Sequence, residues 1–164
     1  MSLKCFRGDL AVRAVRDIDF SKEWDSGIRG IIFDIDNTLV PHGAPADDAS
    51  VRLFSGLRAM GFSVCIISNN HAPRVVPFAE KVGCRYVFDA GKPKKGSYVK
   101  AMAELGTGET DTLFIGDQIF TDVFGANRAG IRTILVNPID EKTDPPFVRF
   151  KRFIERTVLR RKYA

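Results

Sequence analysis

Apolar residues along this chain fall into short unbroken runs, each closed by a polar or glycine-containing turn. Five runs stand out, at residues 30–33, 63–67, 85–88, 112–115 and 132–136. Each is too short for a core helix and rich in Ile, Val and Phe, which predicts strands buried on both faces. Between them the apolar positions switch to helical spacing. Residues 48–60 place Val51, Phe54, Leu57 and Met60 three apart, and Gly61 ends the pattern. Residues 73–82 open on Pro73 and stop at Gly83; 96–105 stop at Gly106, and 121–129 at Gly130. Residues 9–18 predict a further helix packed on the sheet, with Trp24 near the entry to the first strand. Strands alternating with helices predict an α/β fold: a three-layer α/β/α sandwich around a central parallel five-stranded sheet. No repeat, low-complexity tract or linker divides the pattern, so residues 1–164 are expected to form one domain.

Composition changes this picture little. The 164 residues are 45% hydrophobic and 27% charged, the balance of an ordinary globular protein. No apolar run reaches the roughly 18–20 residues of a membrane-spanning helix, and the first residues lack the apolar stretch of a signal peptide. Cys5, Cys65 and Cys84 are odd in number and far apart, which implies no disulfide framework. With no Cys-x-x-Cys pair, and with only His42 and His71 to assist, they make a poor zinc site. A reducing cytoplasm is the expected setting.

Charge changes it more. The net charge is +5, from 25 Lys/Arg and 20 Asp/Glu. Residues 147–164 hold seven of the bases (Arg149, Lys151, Arg152, Arg156, Arg160, Arg161 and Lys162) and one acid, Glu155. The other 18 bases and 19 acids leave the rest of the chain at −1. The basic excess belongs entirely to the C-terminal segment. In helical projection Phe147, Phe150, Phe153/Ile154 and Val158 recur every three or four residues there, with bases on the remaining surface. That pattern fits a basic amphipathic helix over 147–164 lying on an anionic membrane. It also fits a helix that buries its phenylalanines on the sheet or on another subunit.

Ligands of parallel α/β sheets collect beyond the carboxyl ends of the strands. Here those ends carry Asp34 and Asp36, then Ser68-Asn69-Asn70, then Gly91-Lys92-Pro93, then Gly116-Asp117 with Asp122 following. Carboxylates brought this close repel by roughly 4 kcal/mol per pair at 4 Å with an effective dielectric near 20. They require raised pKa values or a cation. An all-oxygen site open to a phosphate suits Mg2+, and a carboxylate is itself able to form an aspartyl-phosphate.

These four segments together resemble the haloacid dehalogenase superfamily of phosphohydrolases. The first motif is Asp34-Ile35-Asp36-Asn37-Thr38-Leu39, the second Ser68, the third Lys92, and the fourth Gly116-Asp117 through Asp122. The resemblance implies that Asp34 attacks phosphorus and ligates Mg2+. It implies that Asp36 protonates the leaving oxygen and then activates water, with its backbone carbonyl on the metal. Ser68 and a neighbouring N–H would hold phosphoryl oxygens, Lys92 would neutralise the phosphoaspartate, Asp117 would bind Mg2+ and Asp122 would support it. Asn69, Asn70, Arg74 and His42 are candidates for substrate contact: Asn70 and Arg74 lie near a helix N-terminus, and His42 in a loop expected to overhang the site.

Asp34 to Ser68 spans 34 positions and Ser68 to Lys92 spans 24, room for one helix and one strand each. No cap domain fits in either interval. An open site serves large substrates or recruits a second subunit, so a homo-oligomer is one expectation. Among capless members the chain is most similar to the bacterial YqeG family and to the mitochondrial and plant phosphatidylglycerophosphate phosphatases. The likeness runs through residues 30–40, Ile67-Ser68-Asn69-Asn70, residues 116–123, Asn127-Arg128-Ala129-Gly130 and the basic tail. It implies a phosphomonoester substrate on a lipid headgroup, and a cytoplasmic enzyme peripheral on the inner membrane. Two alternatives stay open: a soluble phosphatase acting on a sugar phosphate, nucleotide or phosphoprotein, and a basic-tailed RNA- or ribosome-binding protein with a relic site. The tail lacks any RNA-binding motif and the acidic set is intact, so nucleic acid is the weaker expectation.

Overall fold

The computed structural model describes residues 3–157. Six strands form one parallel sheet: β1 (Leu10–Val12), β2 (Gly30–Phe33), β3 (Ser63–Ile67), β4 (Arg85–Val87), β5 (Thr112–Gly116) and β6 (Arg132–Val136). Their order across the sheet is β1-β6-β5-β2-β3-β4. The chain builds from β2 outward to β4 on one side, then returns to β5 on the other. The order therefore reverses between β2 and β5, where open α/β sheets bind their ligands.

Alternation along the strands explains the layers. Ile31, Phe33, Val64, Ile66, Leu113 and Ile115 face one side, where they meet Phe54 and Leu57 of α2 (Asp48–Ala59) and Val75, Phe78 and Val82 of α3 (Ala72–Val82). The residues between them, Ile32, Cys65, Ile67 and Phe114, face the other side. There they meet Tyr98, Ala101, Met102 and Leu105 of α4 (Gly96–Leu105) and Ala126 of α5 (Phe124–Arg128). A short α1 (Phe20–Asp25) precedes β2 and carries Trp24, whose ring packs edge-on against Phe62. The expected three-layer sandwich is what forms.

Three expectations are corrected. The sheet has six strands rather than five, because residues 9–18 are not a helix. They form β1 and a 3-10 turn at Val15–Asp17. β1 is a three-residue edge strand with largely exposed side chains, so it leaves no apolar run to read. It is fixed instead by register to β6 and by Asp9, whose carboxylate accepts the Thr133 backbone N–H at 2.7 Å. Second, the helix expected at 121–129 begins as a π-helical turn, Ile119–Val123, before α5. Third, of the two readings of the last helix, α6 (Pro146–Thr157), the one that buries its phenylalanines on the sheet is overturned: the helix turns its polar face inward, burying Arg152 and Glu155 and exposing Phe147, Phe150 and Phe153. The part of the expected tail helix beyond Thr157 lies outside the described residues.

Only a loop, α2 and β3 separate Asp34 from Ser68, and only α3 and β4 separate Ser68 from Lys92, so no cap domain is present. Among the described residues no helix is long and apolar enough to cross a membrane.

Candidate active site

Beyond the carboxyl ends of β2 and β5 the sheet delivers three carboxylates to one point. Asp34 extends β2 by one further bond, its N–H donating to Ile115 O at 3.0 Å. Asp117 directly follows β5. Asp122 returns from the π-helical turn, and its Oδ2 accepts the backbone N–H groups of Asp117 at 3.1 Å and Gln118 at 3.0 Å. This return explains the glycine of the fourth motif. A Cβ on Gly116 would lie 2.5 Å from Asp122 Oδ2, so only glycine leaves room for the carboxylate. Tyr98 braces the same turn by donating to Thr121 O at 2.8 Å. As a result one carboxylate oxygen from each of Asp34, Asp117 and Asp122 lies within 4.8 Å of the others, all three residues buried.

Two buried cations share this negative charge. Lys92 Nζ lies 2.6 Å from Asp34 Oδ1 and 2.7 Å from Asp122 Oδ1. Arg152 of α6 donates to Asp117 Oδ2 at 2.5 Å and to Asp144 Oδ2 at 2.6 Å. Thr38 of the first motif donates to Asp117 Oδ1 at 3.1 Å. Burial raises the Asp34 carboxyl well above its ordinary value; Lys92 pulls it back, while Asp122 and Asp117 add to the rise. Burial alone would drive Lys92 toward neutrality, but Asp122 and Asp34 outweigh it and hold the ammonium charged. Such a donor set, all carboxylate oxygen and mutually repelling, fits a hard divalent cation.

Asp36 points elsewhere along the same cavity. Its carboxylate accepts from Asn70 Nδ2 at 2.5 Å, Arg74 Nη2 at 2.8 Å and the Gly43 N–H at 2.8 Å, with His42 Nδ1 4.0 Å away. Asn70, Arg74 and His42, expected at the substrate, therefore gather around Asp36. Asn70 also reaches Ser68, whose Oγ accepts from its backbone N–H at 3.1 Å and its side-chain amide at 3.2 Å. Asn69 brackets Lys92: its Oδ1 accepts the Lys92 N–H at 2.7 Å and its Nδ2 donates to Lys92 O at 3.1 Å. Asn69 thus positions the lysine backbone as well as lining the cavity.

Asp34, Asp36, Ser68, Asn70 and Lys92 line one cavity of about 140 Å³, together with Phe147, Val148 and Lys151 of α6. Sequence reasoning did not place α6 or Asp144 at the site, and it gave no role there to Arg152 or to Asn37 and Thr38 of the first motif. Asn37 adopts a left-handed φ of 61° and donates to Asp144 Oδ1 at 2.7 Å, tying the first motif to the segment before α6. A signal for Asn37 existed, since Asn tolerates that conformation better than most residues. For Arg152 the signal was its spacing from Glu155, which puts an opposite-charge pair on one helical stripe.

The comparisons with known proteins agree with this geometry. The chain is 36% identical over 160 residues to the probable phosphatase YqeG of Bacillus subtilis (strain 168), a match that covers 97% of this chain and 92% of that one. It belongs to the YqeG family of haloacid-dehalogenase-type phosphatases. A HAD-hydrolase-like family model matches residues 89–144, the stretch from the third motif through the fourth. The chain is also 26% identical over 168 residues to phosphatidylglycerophosphate phosphatase 1, chloroplastic/mitochondrial, of Arabidopsis thaliana, covering 93% of this chain but 47% of that longer one. The fold is shared with the deoxy-D-mannose-octulosonate 8-phosphate phosphatase of Haemophilus influenzae, solved in its cobalt-bound form, with a TM-score of 0.51. That match has 15% identity and covers 80% of this chain and 89% of that one.

Proposed function

We propose that this family member is a Mg2+-dependent phosphomonoesterase that removes the terminal phosphate of phosphatidylglycerophosphate through an aspartyl-phosphate on Asp34. The observation that carries the reading is the convergence of Asp34, Asp117 and Asp122 within 4.8 Å, with Lys92 bridging two of them. Asp34, Asp117 and Asp122 would hold Mg2+, with the Asp36 carbonyl as a further ligand, and the ion would offset the charge of the phosphate.

In this reading a carboxylate oxygen of Asp34 attacks phosphorus while the bond from phosphorus to the ester oxygen breaks. Asp36 passes a proton to the departing oxygen. It then takes a proton from water as that water attacks the phosphoaspartate, which frees inorganic phosphate and restores Asp34. Ser68 lines the cavity where a phosphoryl oxygen would lie, and Lys92 compensates charge on the aspartyl-phosphate.

The lipid substrate is supported by the likeness to a named phosphatidylglycerophosphate phosphatase, by the missing cap, and by the aromatic, basic helix at the cavity. The setting that follows is the cytoplasmic face of the inner membrane. Phosphate release from phosphatidylglycerophosphate in mixed micelles, set against a panel of sugar phosphates, nucleotides and phosphopeptides, tests it. Preferential turnover of the lipid is expected. Faster turnover of a soluble ester with none of the lipid would overturn the substrate assignment and leave the phosphatase.

A further inference from the structure

The inward turn of α6 leaves its aromatic residues facing out. Glu155 accepts the Phe120 backbone N–H at 2.9 Å, and Arg152 is tied to Asp117 and Asp144. These bonds fix the rotation of the helix about its axis. Phe147, Phe150 and Phe153 are consequently 65%, 62% and 62% exposed, one after another along one stripe. Three adjacent phenylalanines open to water are an unusual expense on a folded surface unless something covers them.

Two observations say what covers them. The first is charge. Arg149 is exposed along one flank of the stripe, where Arg156 pairs with Glu141, and half-buried Lys151 lies on the other, its Nζ 4.2 Å from the centre of the Phe147 ring. The single acid of the helix, Glu155, is buried. An apolar stripe edged by cations on both sides matches the boundary between acyl chains and anionic headgroups. Against a second copy of itself the same face would bring like charges together. The second observation is position. Phe147, Val148 and Lys151 also line the cavity that holds Asp34 and Lys92, so whatever the stripe rests on lies at the mouth of the site.

We propose that the outer face of α6 is a docking surface for an anionic lipid bilayer, with Phe147, Phe150 and Phe153 entering the interface. Arg149 and Lys151 contact acidic headgroups, and the cavity opens onto the membrane plane beside them. The surface rests on the lipid-phosphatase reading for its purpose, but its existence is tested by binding alone.

The test is co-sedimentation of the full chain with vesicles of phosphatidylcholine, with and without phosphatidylglycerol. The parent is expected to bind only the mixed vesicles. Phe150→Gln/Phe153→Gln is expected to weaken that binding roughly tenfold or more, and Arg149→Glu to weaken it on anionic vesicles. Both variants should keep the parental circular dichroism and the parental rate on soluble p-nitrophenyl phosphate, because none of these residues lines the cavity. Binding of the double variant equal to the parent's would overturn the proposal. So would a parental dimer that the double variant turns into a monomer, with no vesicle binding by either. If vesicle binding follows expectation but no protein hydrolyses any phosphomonoester, the phosphatase reading fails and the docking surface stands.

Discussion

Arg152, in the last described helix, donates to Asp117 at the end of a central strand across 2.5 Å, both side chains almost fully buried. The same guanidinium reaches Asp144, which Asn37 of the first motif holds at 2.7 Å. One arginine thus ties α6 to two of the loops that shape the site. Replacing it with Met would leave Asp117 and Asp144 buried without their shared cation, a loss of about 3–5 kcal/mol. Urea unfolding of Arg152→Met should show a correspondingly lower midpoint, with earlier proteolysis within α6. Arg152→Lys should recover only part, since an ammonium lacks the fork that engages both carboxylates. An unchanged midpoint for Arg152→Met would mean that α6 is held by other contacts.

Asp34→Asn keeps the shape of the side chain and removes its nucleophilic charge. Turnover should fall by at least about 1,000-fold, the scale of loss of a nucleophile. Labelled phosphate recovered on the acid-quenched protein should disappear with it. Full activity in this variant would remove Asp34 from the mechanism and with it the covalent intermediate.

Much of the geometry of this candidate site was legible in the sequence, and the reason is local. Asp34, Ser68 and Asp117 each follow a buried strand, so hydrophobic runs announce where they sit; Lys92 follows β4, an edge strand whose Arg85 and Tyr86 are exposed rather than buried on both faces as expected. Asp36 lines the same cavity as Asp34, as its position two residues on suggested, although it turns toward Asn70 and Arg74. What stayed hidden depends on partners distant in sequence. β1 has no hydrophobic signal because it is a short edge, recognisable only through its pairing with β6. The π-helical turn arises because Asp122 folds back over Gly116 and Tyr98 takes the Thr121 carbonyl. The helical pattern of α6 was plain, yet its rotation was not. Phenylalanines ordinarily face inward, and only the waiting carboxylates of Asp117 and Asp144 reverse that preference.

Three buried carboxylates held within 4.8 Å should make stability depend on a divalent cation. Mg2+ bound only by the folded chain would add about 2.7 kcal/mol at a concentration one hundred times its Kd. Thermal unfolding should therefore rise with Mg2+, and a chelator should reverse the rise and abolish turnover. Asp117→Asn should flatten the Mg2+ titration while the protein still unfolds cooperatively. A melting temperature indifferent to Mg2+ and Mn2+ would count against a metal at these three residues.

Cys65 and Cys84 offer a check on the core that does not involve the site. Cys65 is fully buried between the sheet and α4, and burial pushes its thiol up to about 12; burial does the same for Cys84, also to about 12. Neither is a thiolate at pH 8, so iodoacetamide should modify them in the native protein far more slowly than in urea. In the unfolded chain these thiols ionise near the ordinary 9.0, whereas in the fold they stay neutral until about 12. The fold keeps their full contribution below pH 9 and loses it progressively as the pH rises through that window, by at most about 1.4 kcal/mol per pH unit for each thiol. Urea unfolding at pH 8 and pH 10 should show the loss, and Cys65→Ala/Cys84→Ala should lose less between the two. Rapid alkylation of Cys65 in the native protein would show that the layer between the sheet and α4 opens far more readily than its packing implies.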